Sequence, residues 1–116
     1  MSTLRGSKET GSSAEALAVE YLQSKGYRIL KKNYKTPYGE ADIIALEGQT
    51  TVFVEVKSAI GQDPIESVHQ GKVKKIRDAA LYYMQKIGRE IPLRFDVITI
   101  TISKDGQEIR HLVDAF

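Results

Sequence analysis

The chain has 116 residues, 41% of them hydrophobic, which suffices for one modest core and argues against a second domain. It has no cysteine and only two histidines, His69 and His111, so a disulfide framework and thiolate or histidine-rich metal sites are excluded, and a bound metal would need oxygen ligands. The formal charge of +2 is too small to select a partner, and without an apolar leader or a membrane-length stretch the chain is expected to be soluble and cytoplasmic.

Residues 1–11, rich in Ser, Thr, Gly and charge, are expected to form a flexible N-terminus ahead of a single domain over 12–116. Ser12-Ser13-Ala14-Glu15 fits a capping box, and Ala14, Leu17, Ala18, Tyr21 and Leu22 recur at helical spacing as far as Gly26. Residues 27–34 begin Tyr-Arg-Ile-Leu and turn basic, as an outer strand does, before Thr36-Pro37-Tyr38-Gly39 reverses the chain.

Two apolar runs then flank Gly48-Gln49. If these are the central residues of a type I′ or II′ turn, the register places Leu46 opposite Thr51, Ile44 opposite Phe53, Asp42 opposite Glu55 and Glu40 opposite Lys57. Alternation puts all four charged residues on one side of the sheet. Like charges directly opposed in a sheet destabilise it. Both faces are otherwise apolar, so the hairpin is expected to be central, with its acids at the edge of a core. Carboxylates crowded there need a proton, a cation such as Lys57, or a hard divalent metal ion.

After Lys57, residues 58–64 read as a polar loop beside the acids. A helix is expected over about 65–87, with Val73, Ile76, Ala80, Tyr83, Met84 and Ile87 on one stripe and Gly88 ending it. Residues 93–102 read as a strand, Asp105-Gly106 as a type I′ turn and 108–113 as the returning strand. A long helix joining the strand of Glu55 to that of Phe95 is a crossover, so those strands should be parallel in a mixed sheet with helices packed against it.

Asp96 lies in an apolar strand and requires a partner, for which Arg94 on the same face is the candidate, as a structural ion pair. His69 and His111 show no partner pattern and are expected at the surface and on an edge strand. Basic residues form two segments, one holding Lys31, Lys32 and Lys35 and the other Lys72, Lys74 and Lys75. An acidic cluster flanked by basic stretches suits a cation site serving a polyanion, with these six lysines as candidate nucleic-acid contacts.

Glu15 in the first helix, Asp42 opening the second strand and Glu55-Val56-Lys57 ending the third resemble the catalytic pattern of the PD-(D/E)XK nuclease superfamily. More narrowly, Gly39-Glu40-Ala41-Asp42, Phe53-Val54-Glu55-Val56-Lys57 and Arg94-Phe95-Asp96-Val97 resemble the YraN-like uncharacterised protein family, whose nearest understood relatives are archaeal Holliday-junction resolvases. The resemblance runs from Gly11 to about Ile100. Two departures stand out: Ala41 replaces the proline of the superfamily name, and Ser58-Ala59 follows Lys57 where many relatives carry an arginine.

The resemblance implies a restriction-endonuclease-like α/β fold and a Mg²⁺- or Mn²⁺-dependent endonuclease acting on DNA, branched DNA included. It implies that Asp42, Glu55 and the Val56 carbonyl hold the metal, that Glu15 reaches it through a water or helps bind a second ion, and that Lys57 is catalytic. It makes Gln70 and Lys74 accessory candidates on the crossover helix. Glu40 is a further accessory candidate, although pairing with Lys57 across the strands accounts for it slightly better. The competing functions are a nucleic-acid-binding or adaptor protein with this fold and little turnover, and a small metal-binding structural domain. A four-way junction as substrate would call for a homodimer.

Overall fold

The backbone of Gly48 has a φ of +60°, whereas Gln49 has a negative φ, which is the requirement of a type II′ turn. That turn sets the register of the hairpin as Glu47–Thr50, Leu46–Thr51, Ala45–Val52, Ile44–Phe53 and Ile43–Val54, the pairing expected from the sequence. The computed structural model describes residues 7–68 and 70–116, with the side chains of all but 7–12, 66, 67 and 70. Its elements are α1 (Ser7–Ser24), β1 (Arg28–Lys35), β2 (Glu40–Glu47), β3 (Thr50–Ile60), a 3₁₀ turn (Pro64–Ser67), α2 (Gln70–Ile87), β4 (Leu93–Ser103) and β5 (Gly106–Leu112).

The five strands form one sheet in sequence order. β1, β2 and β3 are antiparallel neighbours, β3 and β4 run parallel from Thr51–Leu93 to Ile60–Ile102, and β5 returns antiparallel to β4. The parallel pair is the one predicted from the crossover helix. Alternation along the central strands divides the core in two. Ile43, Ala45, Val52, Val54, Ile98 and Ile100 pack with Ala14, Ala18 and Leu22 of α1. Ile44 and Phe53 pack with Ile76 and Ala80 of α2. The helices therefore cover opposite faces, which is why the hairpin reads as apolar on both. Among the described residues no helix is long and apolar enough to cross a membrane.

Several boundaries depart from the expectation. Helix α1 is already formed at Ser7, the first described residue, so Ser12 does not open it and Glu15 lies inside the helix instead of closing a capping box. The flexible end expected over residues 1–11 lies outside the described residues for 1–6. Residues 58–60 belong to β3, because β4 continues alongside and pairs Ser58, Ala59 and Ile60 with Ile100, Thr101 and Ile102. The expected loop over 58–64 thus shrinks to a short link. There the Asp63 carboxylate accepts the Ile65 N–H at 3.0 Å and caps the 3₁₀ turn, so α2 starts at Gln70 instead of near Ile65. The last hairpin pairs Ser103 with Gly106, so its central residues are Lys104 and Asp105, one position earlier than expected, with Gly106 at a φ of +125°.

Candidate functional site

β2 changes face at Asp42. Residues two apart on a regular strand share a face, yet Ala41 belongs to the core under α2 and Ile43 to the core under α1. Asp42 stands between the pairs Lys32–Ile43 and Tyr34–Ala41. Asn33, the intervening residue of β1, has a left-handed backbone with a φ of +51°, which asparagine tolerates better than most residues. At this kink the Asp42 carboxylate accepts the backbone N–H of Val56 at 2.8 Å.

That hydrogen bond corrects the expected register at its end. The β2–β3 ladder stops at Ile43–Val54, one step short of the Asp42–Glu55 pair, because the Asp42 side chain takes the Val56 N–H. An extended residue directs its N–H and C=O to the same side, so the Val56 carbonyl also faces β2. Glu55 follows Val54 at the same end of β3 and is 6% exposed.

Burial raises the pKa of Asp42. The Val56 N–H and the Lys72 ammonium oppose the shift, and the charge of Glu40 adds to it. Glu55 is lifted to about 7, first by burial and then by the charge of Asp42, with Lys72 and Lys57 pulling the other way. The two acids are thus close enough to hinder each other's ionisation, as the sequence suggested. Two ammonium groups attend them: the Nζ of Lys57 and the Nζ of Lys72 each lie 3.8 Å from Glu55 Oε2. The sequence suggests phosphate contacts for Lys72. Sequence alone had no signal for its place here, because it comes from the first turn of α2.

Glu15 reaches the edge of the same cluster. Its pKa is raised by burial first and by the Asp42 charge second, while a side-chain hydrogen bond with Asn33 and the charge of Lys35 oppose the shift. It does not complete a three-carboxylate cage: among the described residues no three His, Cys, Asp or Glu side chains are grouped so as to hold an ion. The oxygens gathered at this end of β3 are the carboxylates of Asp42 and Glu55 and the carbonyl of Val56.

The other candidates are placed differently. Glu40 is exposed and faces Lys35 of β1, and Lys57 pairs with Glu55 in place of the expected bridge to Glu40. Lys74 points away, bound to Asp78 at 2.7 Å one helical turn along. The side chain of Gln70, like His69, lies outside the described residues. Lys31, Lys32 and Lys35 are exposed on the edge strand β1, and Lys75 is exposed on α2.

Asp96 is fully buried on the α1 side of the sheet and has the partner expected for it. Arg94 donates Nε to Oδ1 and Nη2 to Oδ2, both at 2.9 Å. The ring of His111 meets Oδ2 at 2.7 Å and the Asp114 N–H meets Oδ1 at 3.0 Å. Burial alone would raise this carboxyl, but the bonds to His111, Arg94 and the Asp114 N–H outweigh it and hold the pKa at about 2. His111 contacts the Tyr21 hydroxyl at 3.2 Å through its other nitrogen, and Arg94 reaches Tyr27 at 2.8 Å and Glu47. His111 lies on the edge strand β5 as expected, but it is not without a partner. The Asp96 group ties α1, β4 and β5 together and is saturated internally.

A model of the uncharacterised protein family UPF0102 matches residues 14–100. A UPF0102 protein of Thermodesulfovibrio yellowstonii is 44% identical over 111 residues, covering 93% of this chain and 96% of the relative. One from Thermotoga neapolitana is 52% identical over 89 residues, covering 76% of this chain and 83% of the relative. Among solved structures, Archaeoglobus fulgidus Hjc, a Holliday junction resolvase from an archaeal hyperthermophile, is similar with 16% identity and a TM-score of 0.49, over 85% of this chain and 72% of that one. The family match covers most of the chain and the relatives align along most of their own length, so the chain belongs to uncharacterised protein family UPF0102, the YraN-like family that its motifs resemble.

Proposed function

We propose that this protein is a divalent-metal-dependent DNA endonuclease that hydrolyses phosphodiester bonds, with branched DNA as its substrate class. The observation that carries the reading is the pairing of two partly desolvated carboxylates, Asp42 and Glu55, beside the Lys57 ammonium at the end of the central strands. Such a set is costly to a fold unless a cation is intended for it.

The donor chemistry fits the metal. Two carboxylates and the Val56 carbonyl are hard oxygen ligands of the kind Mg²⁺ and Mn²⁺ prefer, and these ions readily keep water in their remaining positions. When bound, the ion supplies a water of lowered pKa and neutralises charge on the phosphate. The chain's own residues do the rest. Asp42 is held by the Val56 N–H and does not have to be ordered on binding. Lys57 orients the attacking water and stabilises the negative charge that develops on the phosphate. Lys31, Lys32, Lys35 and Lys75 hold flanking phosphates and so recognise backbone and shape more than sequence. Glu15 acts from α1 through water, and a two-fold dimer would present two such centres to a junction.

The test is a cleavage panel of linear, flapped, single-stranded and four-way-junction DNA with Mg²⁺ or Mn²⁺, comparing wild type with Asp42→Asn. Metal-dependent cleavage of a branched substrate by wild type alone is expected. Binding to DNA without cleavage of any substrate would favour an adaptor that keeps the fold and has no turnover.

A further inference from the structure

We propose that Lys72 is the cation that neutralises the acid pair when no metal is present, and that it passes to a phosphate of the DNA when a divalent ion takes its place. The inference rests on the metal site proposed above.

Charge balance points first to this role. With both acids ionised, Asp42 and Glu55 carry two negative charges against the two positive ones of Lys57 and Lys72, so these four groups balance, with Glu40 and Glu15 outside the set. A divalent ion added to that set leaves two positive charges unmatched in a partly buried place, which is unfavourable until anions arrive. DNA backbone phosphates are such anions.

The geometry selects Lys72 as the lysine that moves. Both ammonium groups lie 3.8 Å from Glu55 Oε2, longer than a hydrogen bond, so neither is locked by that contact, and exposure and position decide between them. The Lys72 side chain is 32% exposed, against 24% for Lys57. Lys57 sits in a strand paired in register with β4, and Lys72 sits in the first turn of α2. A helix N-terminus carries partial positive charge and disfavours a cation, and this turn contains no acidic residue to offset it. Once a metal neutralises Glu55, the metal and the helix end both repel the Lys72 ammonium.

The helix itself need not shift. A Cβ at Gly39 would overlap the backbone carbonyl of Lys75, so α2 packs directly on the start of β2 and only the flexible lysine stem has to swing. Metal and DNA should then bind with positive coupling, each strengthening the other equally.

The experiment begins with calorimetric Mn²⁺ titration, without DNA, of wild type, Lys72→Met, Lys72→Arg and, as a control at the far end of α2, Lys86→Met. Lys72→Met should bind Mn²⁺ about tenfold tighter because a competing charge is gone, whereas Lys72→Arg and Lys86→Met should stay within about twofold of wild type. Lys72→Gln repeats the test with a polar stem in case the methionine variant fails to fold. DNA affinity is then measured with and without Mn²⁺ in a Lys57→Ala background, where cleavage should be slow, and the DNA is checked by gel to be uncut. Mn²⁺ should raise DNA affinity there, and adding Lys72→Met should remove that gain. Equal or weaker Mn²⁺ affinity in folded Lys72→Met or Lys72→Gln overturns the counter-ion role, and an undiminished Mn²⁺ gain overturns the transfer to phosphate. Wild type that binds no Mn²⁺ at all rejects the metal site itself, and this inference with it, which is a separate and distinguishable result.

Discussion

The Asp42 carboxylate accepts the Val56 N–H at 2.8 Å, so a side chain occupies the position where the next backbone partner of β3 would lie. The hydrogen bond fixes one acid of the pair and ends the β2–β3 ladder beside the other. Folding therefore brings two carboxylates together without a protein cation in hydrogen-bonding reach, and the predictions below follow from that arrangement.

The metal-free protein should lose stability as pH rises. Glu55 has a pKa of about 7 when folded, above its ordinary 4.5, so between these values the folded state holds more protons than the unfolded state. The cost is absent below about pH 4.5, grows through the interval and is complete above about 7, at roughly 3 kcal/mol. The raised Asp42 acts in the same direction. In EDTA, Glu55→Gln should melt higher than wild type at pH 8 and show a flatter dependence between pH 5 and 7. Identical pH profiles would show that neither burial nor the Asp42 charge raises the Glu55 carboxyl in the folded protein.

Asp96 has the opposite sign. Its folded pKa of about 2 lies below the ordinary carboxylate value, so the stability it contributes is present above about pH 4 and is lost as pH falls toward 2. Asp96→Ala leaves Arg94 without its principal partner and should cost about 3–5 kcal/mol in urea unfolding at pH 7. Mn²⁺ affinity should not change. A variant of undiminished stability that lost metal binding would move this group from the scaffold to the site.

Lys57→Ala should bind DNA nearly as well as wild type and cleave it at least 100-fold more slowly, since the contact is stronger in the transition state than in the ground state. Single-turnover rates at saturating protein make the comparison. Equal rates would reduce Lys57 to an ion-pair partner of Glu55.

DNA affinity should fall steeply with salt. Removing Lys31, Lys32 or Lys35, exposed on β1, should each flatten the log–log slope by about one unit. Lys74 is tied to Asp78, so Lys74→Ala should change the slope less than any of these. Equal slopes for all four variants would contradict the assignment of the β1 edge.

Much of this was legible in the sequence. Gly48-Gln49 fixed the hairpin because a two-residue turn leaves one register, and alternation of apolar residues then placed both faces. The long connection from Lys57 to Arg94 fixed the parallel pair because only a crossover spans it. What escaped were interactions made by side chains with backbone or across elements. The Asp42 bond to Val56 replaces a ladder step that strand logic would continue. Lys72 reaches the acids from α2, whose position depends on the close contact at Gly39. His111 was within reach of sequence reasoning: it pairs with Ile98 and so shares a face with Asp96 two residues away, but an Asp105-Gly106 turn sets it opposite Ile100, farther from Asp96.

The central claim is that Asp42 and Glu55 are held together for a divalent cation, and Mn²⁺ titration of wild type beside Asp42→Asn by isothermal calorimetry tests it most directly. The account predicts saturable binding by wild type and affinity at least tenfold weaker in the folded Asp42→Asn protein. Equal affinity in the two, or no binding by wild type, would contradict it.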